Sequence, residues 1–112
     1  MRIILCPQGE PARVVEICNE LTEMQSIVGG LIEIVPVIDG IAMVCNEEGK
    51  LRADFKPNRY VTWKGLIDVI CGDFFYCGTD GRELTDIPKN FEPVLLGLFS
   101  RPDFNKDGER NI

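Results

Sequence analysis

Between residues 50 and 64 the chain sets Lys50, Arg52, Lys56, Arg59 and Lys64 against a single acid, Asp54. Interleaved with them are Phe55, Tyr60 and Trp63, the only tryptophan. Cations beside aromatic faces suit anionic, ring-bearing ligands, because phosphate takes charge-assisted hydrogen bonds and a base stacks on an aromatic ring. The candidate binding residues are therefore Lys50, Arg52, Lys56, Asn58, Arg59, Tyr60, Trp63 and Lys64. In a nucleotide-binding version, Arg59 and Lys56 take phosphate while Tyr60 or Trp63 stacks on the base. The competing reading has these rings packing on a sheet and these cations pairing with acids elsewhere. Asn58 would then be a turn former after Pro57. Exposure separates the two readings.

The rest of the chain is anionic. Residues 1–49 carry two basic and eight acidic groups, residues 50–65 sum to +4, and the whole chain is −6. Glu10, Glu16, Glu20, Glu23, Glu33, Asp39, Glu47 and Glu48 could form a negative face that docks on a basic surface, as a nucleic-acid mimic does, or could serve as solubility charges. Duplex DNA is disfavoured as a partner, since the basic surface is small and the overall field repels phosphate.

Catalytic chemistry has little to work with. There is no histidine, which removes the commonest general base, the common triads and most transition-metal sites. No catalytic motif, P-loop or dinucleotide fingerprint is present, so no catalytic residue is assigned. The five cysteines, Cys6, Cys18, Cys45, Cys71 and Cys77, contain no C-x-x-C pair and read as small buried hydrophobes rather than zinc ligands. Asp103, Asn105, Asp107 and Gly108 match the opening of a calcium loop, but the sequence stops before the acidic twelfth position. Neither metal nor cofactor is expected.

The elements that would position these groups are those of one small domain. At 112 residues there is room for a single core. Residues 2–6 and 13–17 read as a hairpin around Pro7–Pro11. Asn19 is a candidate cap for a helix with Leu21, Met24, Gln25 and Val28 at i, i+3, i+4 and i+7, ended by Gly29-Gly30. Asp39-Gly40 between the apolar runs 31–38 and 41–45 predicts a tight hairpin, with Pro36 marking an edge or a bulge. Residues 51–65 read mostly as loop. The apolar stretch 66–71 is too short to choose between helix and strand, and 74–77 reads as a final strand. Phe91, Val94, Leu95, Leu98 and Phe99 predict a C-terminal helix capped by Asn90. The expected fold is α+β: a mainly antiparallel sheet of about five strands, one short helix after the first hairpin, and a C-terminal helix packed on the sheet. Residues 1–100 form the domain and 101–112 a polar, loosely held tail.

Several phrases in order carry a family resemblance: Val28-Gly29-Gly30-Leu31-Ile32-Glu33, Asn46-Glu47-Glu48-Gly49-Lys50-Leu51, Pro57-Asn58-Arg59, Asp68-Val69-Ile70-Cys71-Gly72 and Phe74-Phe75-Tyr76-Cys77-Gly78. Over about residues 1–100 the chain resembles a family of small proteins from phages, plasmids and other mobile elements, known as domain of unknown function 3846. The resemblance implies a cytoplasmic protein in a bacterial host, with no activity or cofactor to carry over. A signal segment or membrane span is not expected, because no apolar run is long enough. The expected function is a non-enzymatic binding protein acting on a host protein or protein complex through charged surfaces. The alternative is a nucleotide, single-stranded nucleic-acid or small-anion binder using residues 50–64, and the third reading is an enzyme using carboxylates.

Overall fold

The computed structural model describes residues 1–63 and 65–112, with Trp63 described by its backbone alone. In chain order the elements are β1 (Arg2–Cys6), β2 (Arg13–Glu16), α1 (Leu21–Val28), β3 (Ile32–Ile38), β4 (Ile41–Asn46), β5 (Pro57–Trp63), β6 (Leu66–Cys71), β7 (Phe74–Thr79), β8 (Leu84–Thr85) and α2 (Glu92–Leu98). Six strands form one antiparallel sheet in the order β2-β1-β7-β4-β3, and β8 pairs with β7 beyond the end of β1. Strands β5 and β6 make a separate antiparallel hairpin. The α+β class, the antiparallel sheet and the positions of both helices agree with the sequence.

The central strands β4 and β7 are apolar throughout because both faces of the sheet are covered. Ile4, Cys6, Met43, Cys45, Phe74 and Tyr76 pack beneath the β5–β6 hairpin, through Val61 and Ile70, and beneath α2, through Leu95. The alternate residues Ile3, Ala42, Val44, Phe75 and Cys77 pack against Met24 and Val28 of α1 on the other face. Gly29 ends α1 in the left-handed conformation, its N–H returning to the Gln25 carbonyl at 2.8 Å. At the edge of the sheet, β3 shifts register between Pro36 and Ile38 before the Asp39-Gly40 turn.

Four sequence expectations need correction. Residues 57–63 are a strand, not loop: the buried positions Asn58 and Arg59 are polar, so the strand shows no apolar alternation. The cap of α1 is Glu20, while Asn19 donates from Nδ2 to the Leu84 carbonyl instead. Helix α2 starts after Phe91 rather than being capped by Asn90; it buries Leu95 and half-buries Phe91, Leu96 and Phe99 against the core, leaving Val94 and Leu98 exposed.

The tail is folded as well. Phe104 is buried and bridges to Arg110, and hydrogen bonds of 2.8 Å join the Asn105 N–H to the Glu109 carbonyl and the Asn111 N–H to the Asp103 carbonyl. The oxygens that resemble a calcium loop serve this turn: Asp103 accepts from the Tyr60 N–H, and Asn105 Oδ1 accepts from the N–H groups of Asp107 and Glu109.

Candidate functional site

The folded chain takes the cationic segment apart. Arg59 is fully buried. Its Nη1 donates to the Pro7 carbonyl at 2.9 Å and to Asn58 Oδ1 at 2.8 Å, and its Nη2 donates to the carbonyls of Phe99, at 3.0 Å, and of Glu10. Asn58, also fully buried, donates from Nδ2 to the carbonyls of Cys6, at 2.9 Å, and Gly72, at 2.8 Å. Together they tie β5 to the β1–β2 loop, the β6–β7 turn and the end of α2. Buried carbonyls at loop ends need donors, and the planar guanidinium supplies several at once. Desolvation pushes the Arg59 pKa below its ordinary value. As candidate ligand contacts, Arg59 and Asn58 are thus corrected: their polar atoms face the interior.

The exposed members of the segment are mostly paired. Lys50 bonds Asp68 of β6. Arg52 is held by Asp54 at 2.9 Å and by the Gly29 carbonyl at 3.1 Å, with its guanidinium 4.6 Å from the Phe55 ring. Asp54 and Asp68 are held below the ordinary carboxylate range, foremost by these hydrogen bonds from Arg52 and Lys50. Tyr60 is 36% exposed but lies 5.2 Å from the Phe104 ring and beneath the Arg110 guanidinium. Lys56 stays exposed, with no ion pair among the described residues. The Trp63 side chain and Lys64 lie outside the described residues. An open platform of rings and free cations is therefore not assembled among the described members of the segment.

The anionic half behaves differently. Glu10 pairs with Arg13, and Glu16 approaches Arg2 at 3.9 Å. Glu20, Glu23, Glu33, Asp39, Glu47 and Glu48 have no cation within 4.0 Å among the described residues. Two concavities lie among these acids. One is a groove of about 350 Å³ between β3 and β6, floored by Met43, Cys45, Val61 and Ile70 and flanked by Glu33 and Asp68. The other, about 730 Å³, opens where α1 stops short of the β3–β4 turn. Its floor includes Ile34, Ala42 and Leu84, Ile38 lines its turn end, and its rim carries Asp39, Asp80 and Glu83 against Arg82. Asp80 Oδ1 accepts the N–H groups of Arg82 and Glu83, each at 2.8 Å, which lowers its pKa.

Sequence reasoning missed this second site. Its floor belongs to a run taken only as hairpin, and its rim to an unassigned turn. The available signal was an edge strand, marked by Pro36, with apolar residues on both faces.

Reactive chemistry is damped in the interior. Burial pushes the thiols of Cys6, Cys45 and Cys77 up to about 12, with Glu33 adding to the effect on Cys45. Cys18 is exposed and Cys71 half-buried, so two of the five are not the buried hydrophobes expected; the Cys18 thiol is raised by its hydrogen bond with Glu23, and that of Cys71 by burial. The three buried ones are held as thiols at neutral pH, whereas nucleophiles and metal ligands are thiolates. Among the described residues no three Cys, Asp or Glu side chains converge as a metal site requires.

A family model described as "Domain of unknown function (DUF3846)" matches residues 1–98 of the chain. The chain belongs to this family. Within the DUF3846 domain, the phrases that carry the sequence resemblance fall at structural joints. Val28-Gly29-Gly30 ends α1, Pro57-Asn58-Arg59 is the buried tether, and Phe74–Gly78 is the central strand. The DUF3846 match stops before Phe99 and Phe104, both of which the fold uses. Neither the curated proteins nor the solved structures give a match to the chain.

Proposed function

We propose that this DUF3846 protein is a non-enzymatic binding protein that docks its anionic surface on a basic macromolecule. In the setting implied by the family resemblance, it is a mobile-element protein acting in the bacterial cytoplasm on a host protein or complex. One contrast supports the reading. The cations of the central segment are largely satisfied within the molecule, whereas six carboxylates of the first half have no cationic partner among the described residues. Unpaired charge of one sign steers association with the opposite sign and sets orientation. The thiols held protonated and the missing histidine favour binding over catalysis.

Retention of a partner from bacterial lysate at low and high salt tests the reading. A partner held at low salt and released at high salt is expected, with retention lost in a Glu20→Gln, Glu33→Gln, Glu47→Gln, Glu48→Gln variant. No retained partner even at low salt defeats it. The geometry gives less support to nucleotide binding through residues 50–64, since Lys56 is the one unpaired exposed cation among that segment's described residues. A nucleotide titration that shifts the fluorescence of Trp63 would restore that alternative.

A further inference from the structure

Helix α1 has eight residues and so spans about 12 Å, while β3, with seven, runs about 23 Å. One short helix cannot cover the sheet face beneath it. Near the start of β3 the cover is present: Ile32 packs into the cluster around α1. Two residues on, Ile34 lies opposite Val44 and points to the same face, yet it is 48% exposed. Past the register shift Ile38 pairs with Ile41, which belongs to the cluster on the other face, and is 52% exposed. Ile34, Ala42 and Leu84 floor the 730 Å³ opening, and Ile38 lies at its turn end.

Two features define what fits there. First, the rim is anionic: Asp39, Asp80 and Glu83 stand against one cation, Arg82. The Asp80 carboxylate is fixed by two backbone N–H groups, and Glu83 and Asp39 have no ion pair among the described residues. Second, the occupant finds no continuous ladder to join. The backbone groups of β4 and β7 are already bonded to neighbouring strands on both sides, and on the edge strand β3 Pro36 has no N–H and the register shift beside it interrupts the strand. A chain segment pressed on this face must satisfy its own N–H and C=O groups, which a helix does.

Building on the binding function proposed above, we propose that this open end of the sheet receives an amphipathic helix of the partner. That helix lays an apolar stripe on Ile34 and Leu84 beside α1 and sets Lys or Arg side chains against Asp39, Asp80 and Glu83. The occupant extends across the sheet the cover that α1 begins.

The probe is a synthetic helical peptide of about 18 residues, with Leu at i, i+3, i+4 and i+7 and Lys elsewhere, titrated into the isotope-labelled full chain and followed by amide chemical shifts. Saturable shifts centred on Ile34, Ile38, Asp39, Asp80 and Leu84 are expected. A scrambled peptide of the same composition, and a Leu/Glu counterpart, should bind at least about tenfold more weakly. The same loss is expected for Ile34→Asp, and a smaller one for Asp39→Asn with Glu83→Gln, a pair on the exposed rim that leaves the core intact. Leu98→Asp, an equally exposed apolar site on α2, should change nothing. Shifts centred instead on Glu33, Glu47 and Glu48 would overturn the helix site while leaving the anionic docking surface standing. Failure of every cationic peptide to bind would remove both.

Discussion

Residues 50–63 and residues 20–48 are of similar charge density and opposite sign, yet folding treats them differently. In the first, Lys50 meets Asp68, Arg52 meets Asp54 and Arg59 is taken inside. In the second, each carboxylate but one sits exposed on a helix, an edge strand or a turn, with Glu23 half-buried, and no cation comes within bonding range among the described residues. The lesson concerns the minority charge. In this chain of net −6, Lys50 and Arg52 of the basic island meet acids and Arg59 meets buried carbonyls, so most of the island is consumed by the fold, while surplus acids stay at the surface. Function is then better sought in the majority charge left over than in the island that stands out.

The comparison breaks first at Arg59. Arg59→Met should destabilise the domain by about 3 kcal/mol or more, because several buried carbonyls lose their donor at once. Arg59→Lys should recover only part of this, lacking the planar fork. Urea unfolding measures both, and near-neutral values would return Arg59 to the list of ligand contacts.

Alkaline pH tests the interior next. Cys6, Cys45 and Cys77 have ordinary values of 9.0 and folded values of about 12. Above pH 9 the unfolded chain loses protons that the folded one keeps, so stability falls from pH 9 towards 12. The expected loss is about 1 kcal/mol per thiol at one unit above the unfolded value. Unfolding midpoints at pH 8 and pH 10 check the slope, and a flat profile would mean the thiols are open to solvent.

Phe104→Ala comes third. It should cost about 2–3 kcal/mol, a core-type loss from a segment outside the family match. The smallest effect is expected at the surface pair: Asp68→Asn should change stability by less than about 1 kcal/mol, with the remainder screened by salt. If Asp68→Asn rivalled Arg59→Met, the distinction between consumed and surface charge would fail.

Local patterns made much of the fold legible. The i, i+3, i+4, i+7 set of α1 with Gly29, the Asp39-Gly40 turn and the apolar run of β7 each announce themselves over a few residues. What stayed hidden depends on distant partners. Strand β5 is masked because Asn58 and Arg59 are buried by carbonyls at Cys6, Pro7 and Phe99. The tail is masked because Phe104 finds Tyr60. The candidate site was legible only in its sign. Counting charges located the acids, but which of them stay unpaired is decided by contacts such as Lys50 with Asp68, 18 residues apart.

The tether of Arg59 also sets a schedule for synthesis. Phe99, whose carbonyl is one of the guanidinium's four acceptors, follows Arg59 by 40 residues, which at about 5–20 residues per second is a delay of about 2–8 s. Until then the nascent β5–β6 arm holds a cation with part of its destination unmade, and β7, the strand at the middle of the sheet, also emerges after it. The tether that joins the N-terminal hairpin to β5 is therefore whole only once the final helix has been made.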